Sequence, residues 1–365
     1  MNQLSDFIKS LPNLFKTACA SRKVAFVSGN SSADMDSVVC AITFSYFSHL
    51  QQRTVFPLIN IPKDELKLRK DIDWLLKDMC IDPKDLLYAD DLSALSKKSV
   101  IDFVLVDHNS PQGKVKEIFE GKEYECNVVG IIDHHLDEGK FINAKPREIT
   151  VCGSCSTLVM HHFLKTIADI QSQIDDKFIS FLLAPLCADT SGLQYRVEKI
   201  DTEIVQKLTQ IYPPRAELVT QLTSQLKVAK ENIDGLSVRD LLRKDYKEFS
   251  TPHGKMGISS MVKGFEALQA RFSIEEIEQS LDLWKRERDL FLAVVMTSFT
   301  DNDQFNREII VYPHNVAKAC VSSCQKELAL KNGKTFGDFE FFQQQNLKAS
   351  RKQVAPLLIE YYANN

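Results

Sequence analysis

The sequence has no apolar run near the roughly 20 residues that cross a bilayer; the longest, 291–296 with its flanks, falls well short. No membrane span is expected. Charge of one sign is also lacking: 45 basic side chains stand against 49 acidic, a net charge of −4, so whole-protein attraction to nucleic acid or anionic lipid is not expected. Any anion must be bound locally. Internal repeats are absent, which excludes a solenoid. Nine cysteines make an odd count, and Cys19, Cys40, Cys80 and Cys187 sit in apolar runs, as reduced thiols used as small hydrophobes do. A cytoplasmic protein is expected. The opening segment, 1–16, interleaves Asp6 and other polar residues with Leu4, Phe7, Ile8, Leu11, Leu14 and Phe15. That is unlike the unbroken core of a secretory signal, and it reads as a packed or edge helix.

What is present is globular material, 44% hydrophobic and 26% charged over 365 residues, enough for two domains of roughly 150 residues. Strand-like runs at 24–28, 54–58, 100–106 and 128–132 alternate with helical stretches at 37–50, 63–79, 153–163 and 178–187. Such alternation predicts an α/β domain with a doubly wound, mostly parallel sheet. The polar helical stretch broken by Pro213 and Pro214 is expected to connect the domains, giving 1–200, a linker at 201–235, and 236–365. The last part mixes strands (256–262, 290–298, 308–312) with helices (274–288, 315–328, 350–362), a smaller α+β domain around a mixed sheet.

Three polar clusters begin where an apolar strand stops, and open α/β sheets place ligands just outside the carboxyl ends of their strands. The first runs Gly29-Asn30-Ser31-Ser32-Ala33-Asp34-Met35-Asp36-Ser37. If extended, Asp34 and Asp36 project to one side, and converging carboxylates repel unless a cation lies between them. Asp36 and Ser37 could equally cap the following helix; both readings stay open. The second, Asp107-His108-Asn109, taken alone reads as a turn. The third is Asp133-His134-His135: imidazole with carboxylate suits a divalent transition ion, and Asp133 is placed to orient a ring. His161-His162, mid-helix with no acid beside it, reads as structural. Asp189, ending an apolar helix, needs a partner or a metal.

Together Asn30, Asp34, Asp36, Asp107, His134 and Asp189 would give two oxygen-rich sites with one imidazole and a shareable carboxylate. That points to two-metal hydrolysis of a phosphoanhydride or phosphoester. Cys152-Gly153-Ser154-Cys155 has the spacing of half a zinc site but no second pair. The better reading is that Gly153 and Ser154 offer backbone N–H groups to phosphate.

Asp133-His134-His135, with the Asp34-x-Asp36 loop, Asp107 and Asp189, resembles the Asp-His-His (DHH) phosphoesterase family. Ser350-Arg351-Lys352-Gln353-Val354 resembles the DHHA2-like second domain shared by family II inorganic pyrophosphatases, prune proteins and fungal exopolyphosphatases, so the likeness covers nearly the whole chain. Asn30 to Ser37, Ile61-Pro62-Lys63 through Leu68-Arg69-Lys70, and Leu242-Arg243-Lys244-Asp245-Tyr246-Lys247 are most similar to the fungal cytosolic exopolyphosphatases. The family's nucleic-acid-cleaving branch carries a glycine-rich motif in a different second domain. This chain has no Gly-Gly pair.

The resemblance implies a metal-dependent exopolyphosphatase that releases orthophosphate from the end of linear inorganic polyphosphate, using two divalent ions, Mg2+ or Mn2+ and possibly Co2+. Asp34 with Asn30 would hold one ion, Asp36 with His134 and Asp189 the other, and Asp107 would bridge them. His135 would contact phosphate, and Asp133 would orient the histidine pair. Ser350, Arg351, Lys352 and Lys244 would bind substrate; Arg351 supplies a planar fork and Lys352 a point charge at a helix start. A basic pair on a helix is more often a solvated face, and the stretch from Ser237 onward is nearly neutral, with 18 basic and 17 acidic residues. Family II pyrophosphatases carry His where this chain has Asn30, which favours polyphosphate over pyrophosphate as substrate. An inorganic pyrophosphatase and a prune-like interaction protein are the rival readings. No nucleic-acid or membrane partner is expected; the oligomeric state is not specified by any pattern, and a monomer is favoured.

Overall fold

The computed structural model describes residues 3–121, 123–213 and 217–364, and only the backbone of 317–323. Met1 and Pro214, which enter the expectations above, lie outside the described residues. Two compact units, Met1–Asn232 and Ile233–Asn365, are taken in turn.

The first unit is built on six strands: β1 (Lys23–Ser28), β2 (Phe56–Ile59), β3 (Leu87–Tyr88), β4 (Val100–Val106), β5 (Glu125–Asp133) and β6 (Arg147–Ile149). Their order is β3-β2-β1-β4-β5-β6, and every pair is parallel. This is the doubly wound sheet that the alternating pattern predicts. Strand order reverses between β1 and β4, so the loops leaving their carboxyl ends part and open a crevice. The edge strands β3 and β6 went unanticipated because two or three residues carry no periodicity.

The helices are α1 (Gln3–Ala18), α2 (Met35–Leu50), α3 (Lys70–Asp78), α4 (Gly113–Gly121), α5 (Cys155–His162), α6 (Leu164–Asp169), α7 (Asp176–Asp189), α8 (Lys199–Ile211) and α9 (Leu218–Glu231). A parallel sheet covered on both faces has apolar strands throughout, which accounts for the buried Ile101, Phe103, Leu105 and Val106 of β4. Phe15, Phe26, Phe56 and Phe103 form a chain of rings with centroids 5.5–6.0 Å apart. Truncating Phe103, which is fully buried, to Ala would cost about 3–5 kcal/mol. Helix α2 is buried from Met35 to Ser48, so no polar stripe interrupts it; this is the physical source of its mixed apolar spacing.

Two expectations are corrected here. The helix expected over 63–79 is a 3-10 turn, Lys63–Leu68, followed by α3, and Arg69 sits at the break. There the Arg69 guanidinium donates to the Ser32 carbonyl, with its Nε 3.0 Å away, and pins the loop after β1. The stretch 201–235 is not a connection. Its helices α8 and α9 bury Ile204, Leu208, Leu218, Leu222 and Leu226 in the core of the first unit, and the units divide after Asn232. The polarity that suggested a linker belongs to the outer faces of amphipathic helices.

The second unit has a six-stranded sheet in the order Leu330–Phe336, Phe339–Gln344, Glu308–Tyr312, Leu290–Thr297, Gly254–Met261, Tyr246–Thr251. It is mixed, as expected: only Gly254–Met261 and Leu290–Thr297 pair in parallel. Met256, Ile258, Leu292, Val294, Ile309 and Val311 bury one face against Leu328, Val354, Leu358 and Tyr362. Tyr246–Thr251 and Leu330–Phe336 escaped notice because their residues are mostly polar and half exposed or more.

Candidate metal centre

The chain leaving β1 passes Gly29, where an added Cβ would lie 2.5 Å from Ser37 Cβ and 2.9 Å from Ser37 Cα. Only glycine lets the start of α2 pack this closely. Asp34 is the N-cap of α2: its Oδ1 accepts Ser37 N–H at 3.1 Å and its Oδ2 accepts Ser32 Oγ at 2.9 Å. The helix is thus capped from this loop, but by Asp34, not by Asp36 or Ser37 as expected. Asp36 lies in the first helical turn, not on an extended segment, so the carboxylates converge by a different route from the one that alternation suggested. Asp36 Oδ1 accepts Ser154 Oγ and Ser156 N–H, each at 2.9 Å, and Oδ2 accepts Cys155 N–H at 2.6 Å.

Those contacts overturn the phosphate reading of Gly153-Ser154. The amides at the start of α5 are spent on Asp36, and Gly153 N–H donates to Asp201 at 2.8 Å. The half-zinc reading fails too, because Cys152 donates its thiol to Ser154 O and Cys155 its own to Ile132 O. His162 does have an acid near it, Glu148 at 2.7 Å, and it stacks on Phe44, a structural role.

Asp107 ends β4 with a left-handed backbone, φ +63°. Its Oδ2 accepts Ser37 Oγ at 2.7 Å and Asn30 Nδ2 at 2.8 Å, while Oδ1 lies 3.2 Å from His134 Nε2 and 3.7 Å from His135 Nδ1. His134 donates its Nδ1–H to Cys152 O at 3.0 Å, which turns Nε2 toward Asp107 and Asp36. Fixing one ring nitrogen frees the other as a ligand. The fully buried Asp133 accepts the His135 ring at 2.8 Å and Asn109 Nδ2 at 2.6 Å. It thus orients His135, while the Cys152 carbonyl orients His134. His108 is buried with Nδ1 on the Val106 carbonyl, part of the turn.

Asp34, Asp36, Asp107, His134, His135 and Asp189 line one cavity of about 380 Å³ together with Cys152, Gly153 and Arg196. Asn30 stands beside it: its Oδ1 accepts Ser32 N–H at 2.9 Å and Ser32 Oγ at 2.6 Å, and it presents its N–H to Asp107. As placed, Asn30 orients the Asp107 carboxylate and turns its own oxygen to Ser32. Burial, then the neighbouring Asp107, pushes the Asp36 carboxyl up to about 7. Asp189, exposed at the rim yet hemmed in by protein, is pushed to about 7 by desolvation and then by Asp36 and Asp34. Burial works against a charged His134, but the Asp107 hydrogen bond and its other acceptors outweigh this and raise it to about 12.

A cluster of acids that holds protons this firmly is one that calls for a cation. The donor set fits divalent ions: Asp107, His134 and His135 alone place ligand atoms within 4.8 Å of one another. Sequence reasoning gave no role in the site to the side chains of Ser37, Asn109, Arg69 and Arg196, and gave Ser154 a different one. Ser37 stands next to Asp36 in the motif, but nothing near Arg196 in the sequence marked it.

Residues 24–186 match the DHH family, N-terminal domain, and residues 224–361 match the DHHA2 domain. A Schizosaccharomyces pombe protein named "Putative exopolyphosphatase" is 32% identical over 94% of this chain and 92% of its own length. The chain belongs to the DHH family. Human "Exopolyphosphatase PRUNE1" is 27% identical, over 93% of this chain and 76% of its own length. A "Probable manganese-dependent inorganic pyrophosphatase" of Lactiplantibacillus plantarum is 27% identical over 61% of this chain and 65% of its own length.

In this DHH-family chain the DHHA2 match holds Ser350, Arg351, Lys352 and Lys244. The Arg351 guanidinium donates to Asp245 Oδ1 at 2.7 Å, Asp245 O at 2.8 Å and Ile258 O at 3.4 Å. Ser350 Oγ donates to Gln353 at 2.7 Å at the start of the last helix. Lys352 is exposed, and Lys244 ends the helix Val238–Lys244.

Proposed function

We propose that this protein is a metal-dependent exopolyphosphatase that removes the terminal phosphate of linear inorganic polyphosphate. One observation carries the reading: four carboxylates and two imidazoles from the ends of β1, β4, β5 and α7 line a single cavity at the point where the sheet's strand order reverses. Asp34, Asp36, Asp107, His134 and Asp189 would hold two divalent ions, Mn2+ or Mg2+ with Co2+ as a third choice. Bound there, such ions supply an activated water and neutralise charge on the phosphoryl group.

The chain's own residues do the rest. Asn30 and Ser37 fix one oxygen of Asp107 and leave the other facing the cavity. Asp133 holds His135 by its Nδ1, and the half-exposed ring is free to meet phosphate. Ser350, Arg351, Lys352 and Lys244 are proposed to bind the substrate's anionic chain, with Asp245 fixing the Arg351 fork. Eight described cysteines are free thiols, in keeping with a cytoplasmic setting. Among the described residues no helix is long and apolar enough to cross a membrane.

Inorganic pyrophosphatase is the second reading, favoured by the Lactiplantibacillus relative; Asn30, an amide where such enzymes carry imidazole, weighs against it. Phosphate release from pyrophosphate, tripolyphosphate and long polyphosphate, measured side by side with Mg2+ and then Mn2+, decides. Turnover of pyrophosphate alone would replace the exopolyphosphatase reading.

A further inference from the structure

Among the described residues, Arg196 is the only arginine or lysine that lines the cavity. Its guanidinium makes no hydrogen bond or ion pair with any described residue, although Asp34, Asp36, Asp107 and Asp189 line the same space. The loop that carries Arg196 is seated by contacts that do not involve its side chain.

Asp201, fully buried, receives Glu198 N–H at 2.7 Å, Gly153 N–H at 2.8 Å and Thr157 Oγ at 2.6 Å, tying the loop to the start of α5. Upstream, Thr190 Oγ accepts Leu193 N–H at 2.9 Å, and Gly192 N–H donates to Cys187 O at 2.9 Å. Arg196 itself has a left-handed backbone, φ +54°, with its carbonyl 3.0 Å from where a Gly153 Cβ would stand. The residue is therefore held against the helix turn that receives Asp36, by contacts unrelated to its side chain.

We propose that Arg196 is a phosphate-binding residue of this site, its fork engaging non-bridging oxygens of a phosphoryl group in the cavity. The proposal rests on the phosphoanhydride reading above. Polyphosphate would bring negative charge into a cavity already lined by four carboxylates, so it needs a cationic partner there, and a planar guanidinium takes two phosphate oxygens at once. Because the contact exists in bound substrate as well as in the transition state, its loss should appear mainly in KM.

The test uses full-length protein loaded with Mn2+, comparing wild type with Arg196→Gln and Arg196→Lys. Binding of imidodiphosphate, a bridging-nitrogen analogue, is measured by calorimetry alongside hydrolysis of tripolyphosphate. Arg196→Gln should weaken analogue binding and raise KM by roughly tenfold or more, since a charged hydrogen bond is worth about one such factor. Arg196→Lys should recover part of the loss, and Mn2+ affinity should not change in either variant. Analogue binding by Arg196→Gln equal to wild type overturns the proposal. If wild type binds the analogue but hydrolyses no polyphosphate, the functional reading falls while the Arg196 comparison still stands or falls on binding. A wild type that binds no analogue overturns both.

Discussion

Asn30 donates its amide N–H to Asp107 Oδ2 at 2.8 Å, the same oxygen that accepts Ser37 Oγ at 2.7 Å. One half of the Asp107 carboxylate is thus fixed by protein, and the other half, 3.2 Å from His134 Nε2, is left to the cavity. Replacing it by an amide keeps the shape and removes the charge. Asp107→Asn is expected to lower phosphate release by at least about a hundredfold, the scale seen when an electrostatic contact at a reacting group is lost. The fold should survive, with a change in stability of about 1–3 kcal/mol from mismatched donors. Near-normal turnover by metal-saturated Asp107→Asn protein would remove Asp107 from the centre.

The raised acids make the metal-free protein respond to pH in a definite direction. Asp36 ionises near 3.8 when unfolded and near 7 when folded, so between those values the folded chain holds a proton that the unfolded chain has lost. Stability should therefore fall as pH rises from about 4 to 7, by up to roughly 1.4 kcal/mol per pH unit for this group. His134, raised from 6.5 to about 12, contributes stability that is complete below 6.5 and adds to the decline above it. Divalent ions displace these protons, so the gain in Tm on adding Mn2+ should grow between pH 5.5 and 8. Thermal melts in chelator and in Mn2+ check this, with Asp36→Asn flattening the metal-free slope. A pH-independent Mn2+ effect would separate ion binding from these acids.

Such behaviour comes from an arrangement that was only partly legible in the sequence. Asp34, Asp36, Asp107, His134 and Asp189 were legible because each follows an apolar strand or ends an apolar helix, and a parallel sheet gathers those ends on one side. The hydrogen bond from Asn30 to Asp107 was not legible, because nothing in a sequence tells which end of an amide faces a neighbour. The backbone N–H groups of Gly153 and Ser154 were assigned to phosphate because the helix start was visible, whereas Asp201 as the partner of Gly153, and Asp36 as the partner of the neighbouring Cys155 and Ser156 amides more than a hundred positions away, were not. Helices α8 and α9 were taken for a linker because their outer faces are polar, and only packing shows that Leu222 and Leu226 are core.

Arg351 tests whether the second unit takes part in substrate capture. Its guanidinium is largely buried and gives hydrogen bonds to Asp245 and to the Ile258 carbonyl. Arg351→Ala should therefore act twice, raising KM for polyphosphate and lowering the Tm, because Asp245 loses its cation. Asp245→Asn separates the effects: it loosens the fork without removing it, so KM should rise less than in Arg351→Ala. Unchanged KM in Arg351→Ala, with only a lower Tm, would make Arg351 a structural residue.

Asn30 is the position at which the resemblance implies a histidine in family II pyrophosphatases, and its geometry bears on what an imidazole there would do. Its oxygen is taken by Ser32 and its N–H points at Asp107, so position 30 offers the cavity a donor proton and no lone pair. An imidazole there would supply a nitrogen ligand suited to Mn2+ and Co2+, at the expense of the Ser32 contacts. Asn30→His is accordingly expected to bind Mn2+ and Co2+ more tightly, by roughly tenfold if the nitrogen contributes about 1.4 kcal/mol. Metal held more firmly beside Asp107 should favour the short pyrophosphate, raising its turnover relative to long polyphosphate. Calorimetric titration of each metal, followed by the ratio of the two activities at saturation, measures both halves. An unchanged ratio with tighter metal would assign substrate length to the second unit's basic residues, and unchanged affinity would mean that position 30 acts only through its hydrogen bond to Asp107.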